Sequence, residues 1–125
     1  MTDEPVATAV EIRPLGQPGD LGWVVMAHGE LYAAEFGWDQ SFEALVVQIV
    51  ARYAAGTDPG AAGAWIAELE GERVGCVFCV PGEDPEVAVL RILLVDPRAR
   101  GRALGHRLVE TAITFAREEI GRAHV

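Results

Sequence analysis

Nine nearly continuous apolar residues, Val87 to Val95 (VAVLRILLV), most constrain what this chain can form. The run is interrupted by Arg91 and is too short to cross a bilayer, so it reads as a central strand covered on both faces. It runs into the turn DPRARGRALG and then into a helical period over residues 103–120. Leu104, Leu108, Ala112, Phe115, Ala116 and Ile120 share the inward side of that helix. A strand, a glycine-containing turn and an amphipathic helix stand in direct succession.

Upstream, the hydrophobic period places the other elements. Residues 7–13 (ATAVEIR) alternate as a short strand closed by Pro14. Asp20 is a fair N-cap for a first helix in which Leu21, Val24, Val25, His28, Leu31 and Tyr32 recur at helical spacing, with Gly37 ending it. Ser41 is expected to cap a second helix, which Gly56 stops. After the loop TDPGAAG the period changes to two. AWIAELE and GERVGCVFCV become strands joined by a hairpin at Glu70-Gly71-Glu72. Cys76 and Cys79 spell C-x-x-C within a strand, where three-residue spacing points them to opposite faces. They read as two small buried side chains, and no metal is expected.

The order β-α-α-β-β-β-α with a mainly antiparallel sheet is an α+β class. At 125 residues there is room for one domain and one core, with residues 1–8 as a tail and residues 9–125 as the domain. The net charge is −9 and every one of the ten basic residues is arginine, which argues against general nucleic-acid binding. The acidic N-terminus lacks a positive segment followed by an apolar run, so a cytoplasmic soluble protein with no membrane partner is expected.

Four of the ten arginines, Arg98, Arg100, Arg102 and Arg107, fall in or beside the turn. A helix N-terminus offers N–H groups and the positive end of its dipole, Gly101 and Gly105 permit close approach, and arginine binds phosphate oxygens strongly. The turn therefore suits an anion. No G-x-x-x-x-G-K-[ST] and no G-x-G-x-x-G occurs, which argues against a P-loop or a dinucleotide fold. The alternative is a plain strand-to-helix connection carrying solvated arginines.

The segment LLVDPRARGRALG resembles motif A of the GNAT superfamily of acyl-CoA-dependent N-acyltransferases, an apolar fourth strand followed by V-x-P-x-x-R-G-x-G-[IL]-G at the head of the third helix. The order of elements resembles that family over residues 9–120. HGELYAAEFGWDQSFEALV is similar to GNAT domains that follow a MarR-type winged helix in some bacterial regulators.

The resemblance implies a three-layer α/β GNAT-like fold with acetyl-CoA as co-substrate. The backbone N–H groups of Arg100, Gly101, Arg102, Ala103, Leu104 and Gly105 would hold the CoA pyrophosphate, with side-chain help from Arg100 or Arg102. The backbone of Leu93, Leu94 and Val95 would pair with the pantetheine arm like an added strand, one N–H polarising the thioester carbonyl. An amine would attack that thioester directly.

Two departures from the family pattern stand out. Ala103 replaces the middle glycine of the turn, keeping its N–H. In the family a fifth strand, a fourth helix and two more strands follow, so with Val125 last the C-terminal strands are expected to be missing and GRAHV at most begins strand five. The general acid, often a tyrosine, commonly comes from that region. An unpaired edge left on the central strand implies a possible homodimer or aggregation.

On the acceptor side, His28, Tyr32 and Glu35 lie at i, i+4 and i+7. Because the first two helices flank the acceptor pocket in the related family, these three could bind or deprotonate an amine, and Glu35 and Tyr32 are the catalytic candidates. A buried, hydrogen-bonded histidine beside a packing tyrosine is the alternative. Arg91, charged in mid-strand, must be paired or stand at a cleft. It either grips an acceptor carboxylate or pairs with an acidic residue of a neighbouring strand. Trp23, Trp38 and Trp65 read as core or lid residues. The functional readings are an acetyl-CoA-dependent N-acetyltransferase acting on an amine of a small molecule or protein, and a degenerate acyl-CoA-binding or interaction domain without turnover.

Overall fold

The structure, a computed structural model, describes residues 9–57, 60–84, 86–119 and 123–124. The expected tail over 1–8, and Ile120 of the last helix, lie outside them.

Strand β1 (Val10–Pro14) leads into α1 (Asp20–Phe36) and α2 (Gln40–Ala55), followed by β2 (Gly63–Leu69), β3 (Glu72–Pro81), β4 (Ala88–Val95), α3 (Leu104–Glu119) and β5 (Ala123–His124). Helix α1 ends where expected, at left-handed Gly37 (φ 68°), whose N–H returns to the Ala33 carbonyl at 3.0 Å.

Both helix starts depart from the sequence reading. Asp20 does not cap α1: left-handed Gly19 precedes it, and its carboxylate accepts N–H groups of the preceding loop, from Gly16 at 2.9 Å and Gln17 at 2.8 Å. It also pairs with Arg13 of β1 and Arg73 of β3, so it joins three segments at one buried point. Helix α2 is capped by Asp39 rather than Ser41. The Asp39 side chain accepts from the Ser41 N–H at 2.9 Å and its hydroxyl at 2.6 Å, because Asp39 keeps an extended backbone while Ser41 is already helical.

The sheet order is β1-β2-β3-β4-β5, antiparallel throughout its first four strands. Glu70 (φ 53°) and Gly71 (φ 82°) form a two-residue hairpin turn, both left-handed as the strand twist requires, and Glu72 already pairs with Leu69. Strand five does begin: two residues run parallel to the start of β4, Ala123 beside Ala88 and His124 beside Val89. Beyond that contact the outer edge of β4 from Leu90 to Val95 meets no strand among the described residues. Strand β4 thus lies between β3 and β5 in the sheet, as its apolar run suggests.

The helices cover both faces, giving three layers. Val24 of α1 with Val46 and Val50 of α2 pack on Ile66, Phe78 and Leu94, whereas Leu104, Leu108 and Ala112 of α3 pack on Val74 and Val77. Cys76 joins the first group and Cys79 the second, both as free thiols, with burial pushing Cys76 up to about 12. The opposite-face reading of C-x-x-C holds.

Candidate functional site

The turn after β4 is built by local chain chemistry. Asp96 accepts the Arg98 N–H at 2.8 Å and starts a single 3-10 turn, Pro97–Ala99, anchored by fully buried Ala99. Gly101 (φ 86°) and Ala103 (φ 56°) are both left-handed, and the Ala103 carbonyl already accepts the Arg107 N–H at 3.0 Å. Ala103 therefore occupies the position a glycine would take at the head of α3, at a cost of about 1 kcal/mol for its Cβ. The N–H groups of the first turn of α3 have no carbonyl partner within the helix and lie at its positive end. A side chain at Gly105 would meet only Val95 Cγ2, at 3.8 Å, and one at Gly101 would meet nothing within 4 Å. Gly101 answers to backbone conformation, whereas the fold makes no such demand on Gly105.

The four arginines are all exposed, and Arg98, Arg100 and Arg107 make bonds to other parts of the fold. Arg98 pairs with Glu72 and Asp96, and Arg107 Nη2 donates to the Val10 carbonyl at 3.1 Å, so these two fasten the turn and α3 to the sheet. Arg102 is exposed. Arg100 reaches across to α1, donating from Nη1 and Nη2 to the Glu35 carboxylate at 2.9 and 3.2 Å, and from Nε to the Val95 carbonyl at 3.2 Å. Three residues from separate parts of the sequence reading, Glu35, Val95 and Arg100, thus meet at the C-terminal end of β4. Leu94 beside them is buried and Leu93 is 37% exposed, as alternation requires.

Arg91 has a different setting from either alternative in its local backbone. Phe78 pairs with Ile92 and Cys79 with Leu90, so β4 spends two residues against one of β3 and Arg91 is the extra residue of a β-bulge. Its side chain is exposed and makes no hydrogen bond or ion pair with a described residue, so the expected cross-strand ion pair is absent there.

His28 and Tyr32 take the packing arrangement. His28 is 1% exposed, its Nδ1–H donates to the Val24 carbonyl at 2.8 Å, and its Nε2 is buried without a partner. Tyr32 stacks on His28 and Phe42 with centroids 5.8 and 4.8 Å away, and burial, with smaller effects from Cys76 and Glu35, pushes its hydroxyl pKa upward. Trp65 packs edge-on to Phe115, and Trp38 stands half-exposed in the aromatic group around Tyr32.

Burial lowers the His28 pKa, partly opposed by the bond to Val24. The unfolded chain then binds a proton that the fold refuses, so stability is complete above about pH 6.5 and falls as the pH drops below it. The slope is up to about 1.4 kcal/mol per pH unit for this group. His28→Phe is expected to flatten urea-unfolding stability between pH 7 and pH 5; an unchanged slope would assign that dependence to other groups.

Among the described residues no group of three or more His, Cys, Asp or Glu is placed to hold a metal ion, and no helix is long and apolar enough to cross a membrane.

Residues 25–125 match the model of the acetyltransferase (GNAT) family. The chain belongs to this family. It is 37% identical over 59 residues to human N-acetyltransferase 8B, a match covering 44% of this chain and 26% of that protein. Its fold is similar to that of a GNAT-family acetyltransferase from Staphylococcus aureus (TM-score 0.70, 18% identity, 88% of this chain and 68% of that one). An acetyltransferase from Streptococcus agalactiae is likewise similar (TM-score 0.65, 24% identity, 87% and 66%). The chain spans about two thirds of those solved chains and about a quarter of the human relative.

The Glu35–Arg100 pair and the bulge at Arg91 carry no local sequence signal. The first joins residues 65 positions apart, and the second exists only in the register between two strands.

Proposed function

We propose that this GNAT chain is an acetyl-CoA-dependent N-acetyltransferase of the cytoplasm, acting on an amine of a small molecule or protein. The observation that carries the reading is the juxtaposition of the left-handed turn at Gly101 and Ala103, opening α3, with the stretch of β4, Leu90 to Val95, that no described strand pairs with on its outer side. The first suits a pyrophosphate and the second an extended pantetheine arm. The open space beside Gly105 fits close approach of a ligand.

In this reading the N–H groups of Arg100 to Gly105 hold the phosphates, and the backbone of Leu93, Leu94 and Val95 holds the arm. A β4 N–H directed at the thioester oxygen stabilises the charge that develops there. The thioester supplies an activated acetyl group: the amine nitrogen bonds to its carbonyl carbon, the carbon–sulfur bond breaks, a base takes the amine proton and the sulfur leaves as thiol or thiolate. Glu35 and Tyr32 are the candidate proton carriers. Glu35 is free for that work once phosphate draws Arg100 away from it, since both carboxylate oxygens now accept from Arg100.

That same pairing favours a second reading, an acyl-CoA-binding domain without turnover, in which Glu35 remains a structural partner of Arg100. Following thiol release from acetyl-CoA across a panel of amines separates the two. Amine-dependent release supports the transferase, and saturable acetyl-CoA binding with no release supports the second reading. A homodimer would pair through Leu90–Val95 of β4, which no described strand covers, and a monodisperse monomer by light scattering would exclude that assembly.

A further inference from the structure

A cavity of about 520 Å³ opens between α2 and the ends of β3 and β4, within the range of small-molecule sites. None of the residues 96–105 lines it. Its walls combine an unusual pair of features. Leu45 of α2 is 45% exposed there, with Ile49, Val80 and Val89 around it. Facing this apolar surface is Arg91, whose place as the extra residue of the β4 bulge puts it beside Ile92 on the α2 side of the sheet. A guanidinium without a described partner, bordering an apolar surface, is complementary to a molecule that carries both a carboxylate and an aliphatic chain.

We infer that this cavity takes a small α-amino acid with an aliphatic side chain, its carboxylate on Arg91 and its side chain against Leu45 and Ile49. Glu83 and Arg52 also line the cavity, and the Glu83 carboxylate gives the ammonium of a zwitterion a partner that a simple carboxylic acid would not use. The identification of this amino acid as the acetyl acceptor rests on the transferase reading; the carboxylate site itself does not. Position supports the connection. Arg91 precedes Leu93 by two residues on one strand, about 7 Å at the strand rise. A carboxylate held by Arg91 therefore leaves an α-amine within a short reach of the β4 edge assigned to the thioester.

The test is calorimetric titration of the full chain with L-leucine and with L-leucinamide, which differ in the carboxylate. Leucine is expected to bind saturably and leucinamide about tenfold or more weakly. Arg91→Gln should erase that preference and Arg91→Lys should retain part of it, with circular dichroism checking that each variant folds. Leu45→Gln, at an exposed position, should weaken leucine without removing the preference for the acid. Equal binding of acid and amide, wild-type leucine affinity in Arg91→Gln, or no saturable leucine binding would each overturn the inference. Acetyl-CoA is titrated separately. Binding of acetyl-CoA without leucine leaves the transferase reading standing and removes the amino-acid site, whereas leucine binding without acetyl-CoA removes the acceptor role and leaves a carboxylate site.

Discussion

Replacing Asp20 with Asn is expected to lower the unfolding free energy by about 3–5 kcal/mol, several times the usual cost of a point substitution. Asp20 is fully buried and holds four groups: the guanidinium of Arg13 at 2.9 and 3.0 Å, that of Arg73 at 2.8 Å, and the N–H groups of Gly16 and Gln17. Asparagine keeps the shape but removes the charge that two partly buried cations require. Arg13 foremost, with Gly16, Arg73 and Gln17 adding to it against the opposing cost of burial, holds the Asp20 carboxyl far below the usual carboxylate range. A folded pKa below the unfolded value of about 3.9 means that this stabilisation is complete above that pH and is lost progressively as the pH falls below it toward the folded value. Urea unfolding at pH 7 and pH 3 should thus show a smaller acid loss in Asp20→Asn than in the wild type. A variant within about 1 kcal/mol of wild type at pH 7 would show that the buried cluster does not tie β1, α1 and β3 together.

Gly105→Ala should move stability and ligand binding in opposite directions. Gly105 is helical and has an ordinary backbone conformation, and the added methyl meets only Val95 Cγ2 at 3.8 Å. Alanine should stabilise the chain by about 0.5 kcal/mol through the lower entropy of its unfolded state. The same methyl fills space that the proposed pyrophosphate site needs, so acetyl-CoA affinity should fall about tenfold or more, a difference of about 1.4 kcal/mol. Thermal melts and calorimetry on one pair of samples check both halves. Unchanged acetyl-CoA affinity in a stabilised variant would mean that the ligand does not approach Gly105.

Much of the architecture was legible because it follows from short-range rules. Gly37 and Gly56 stop helices by adopting left-handed conformations, and the change of hydrophobic period separates residues 20–55 from residues 64–95. The turn at Gly101 was legible for the same reason: glycine, helix start and strand end are adjacent in the chain. What was not legible depends on partners distant in sequence. Asp20 has the composition of a cap, but two arginines and two loop N–H groups from outside its helix compete for the carboxylate and win. His28, Tyr32 and Glu35 follow a helical spacing, yet that row runs from the core at His28 to the surface at Glu35, where Arg100 takes the carboxylate. Arg91 stood out as an anomaly in an apolar run, and only the strand register shows that a bulge resolves it.

The account turns on whether the α3 turn and the β4 edge together receive acetyl-CoA. Titrating acetyl-CoA into isotopically labelled protein and following backbone amide resonances tests this directly. The predicted result is saturable shifts concentrated at Leu93 to Val95 and Arg100 to Gly105. Saturable binding that leaves those amides unmoved, or no binding at all, would contradict it.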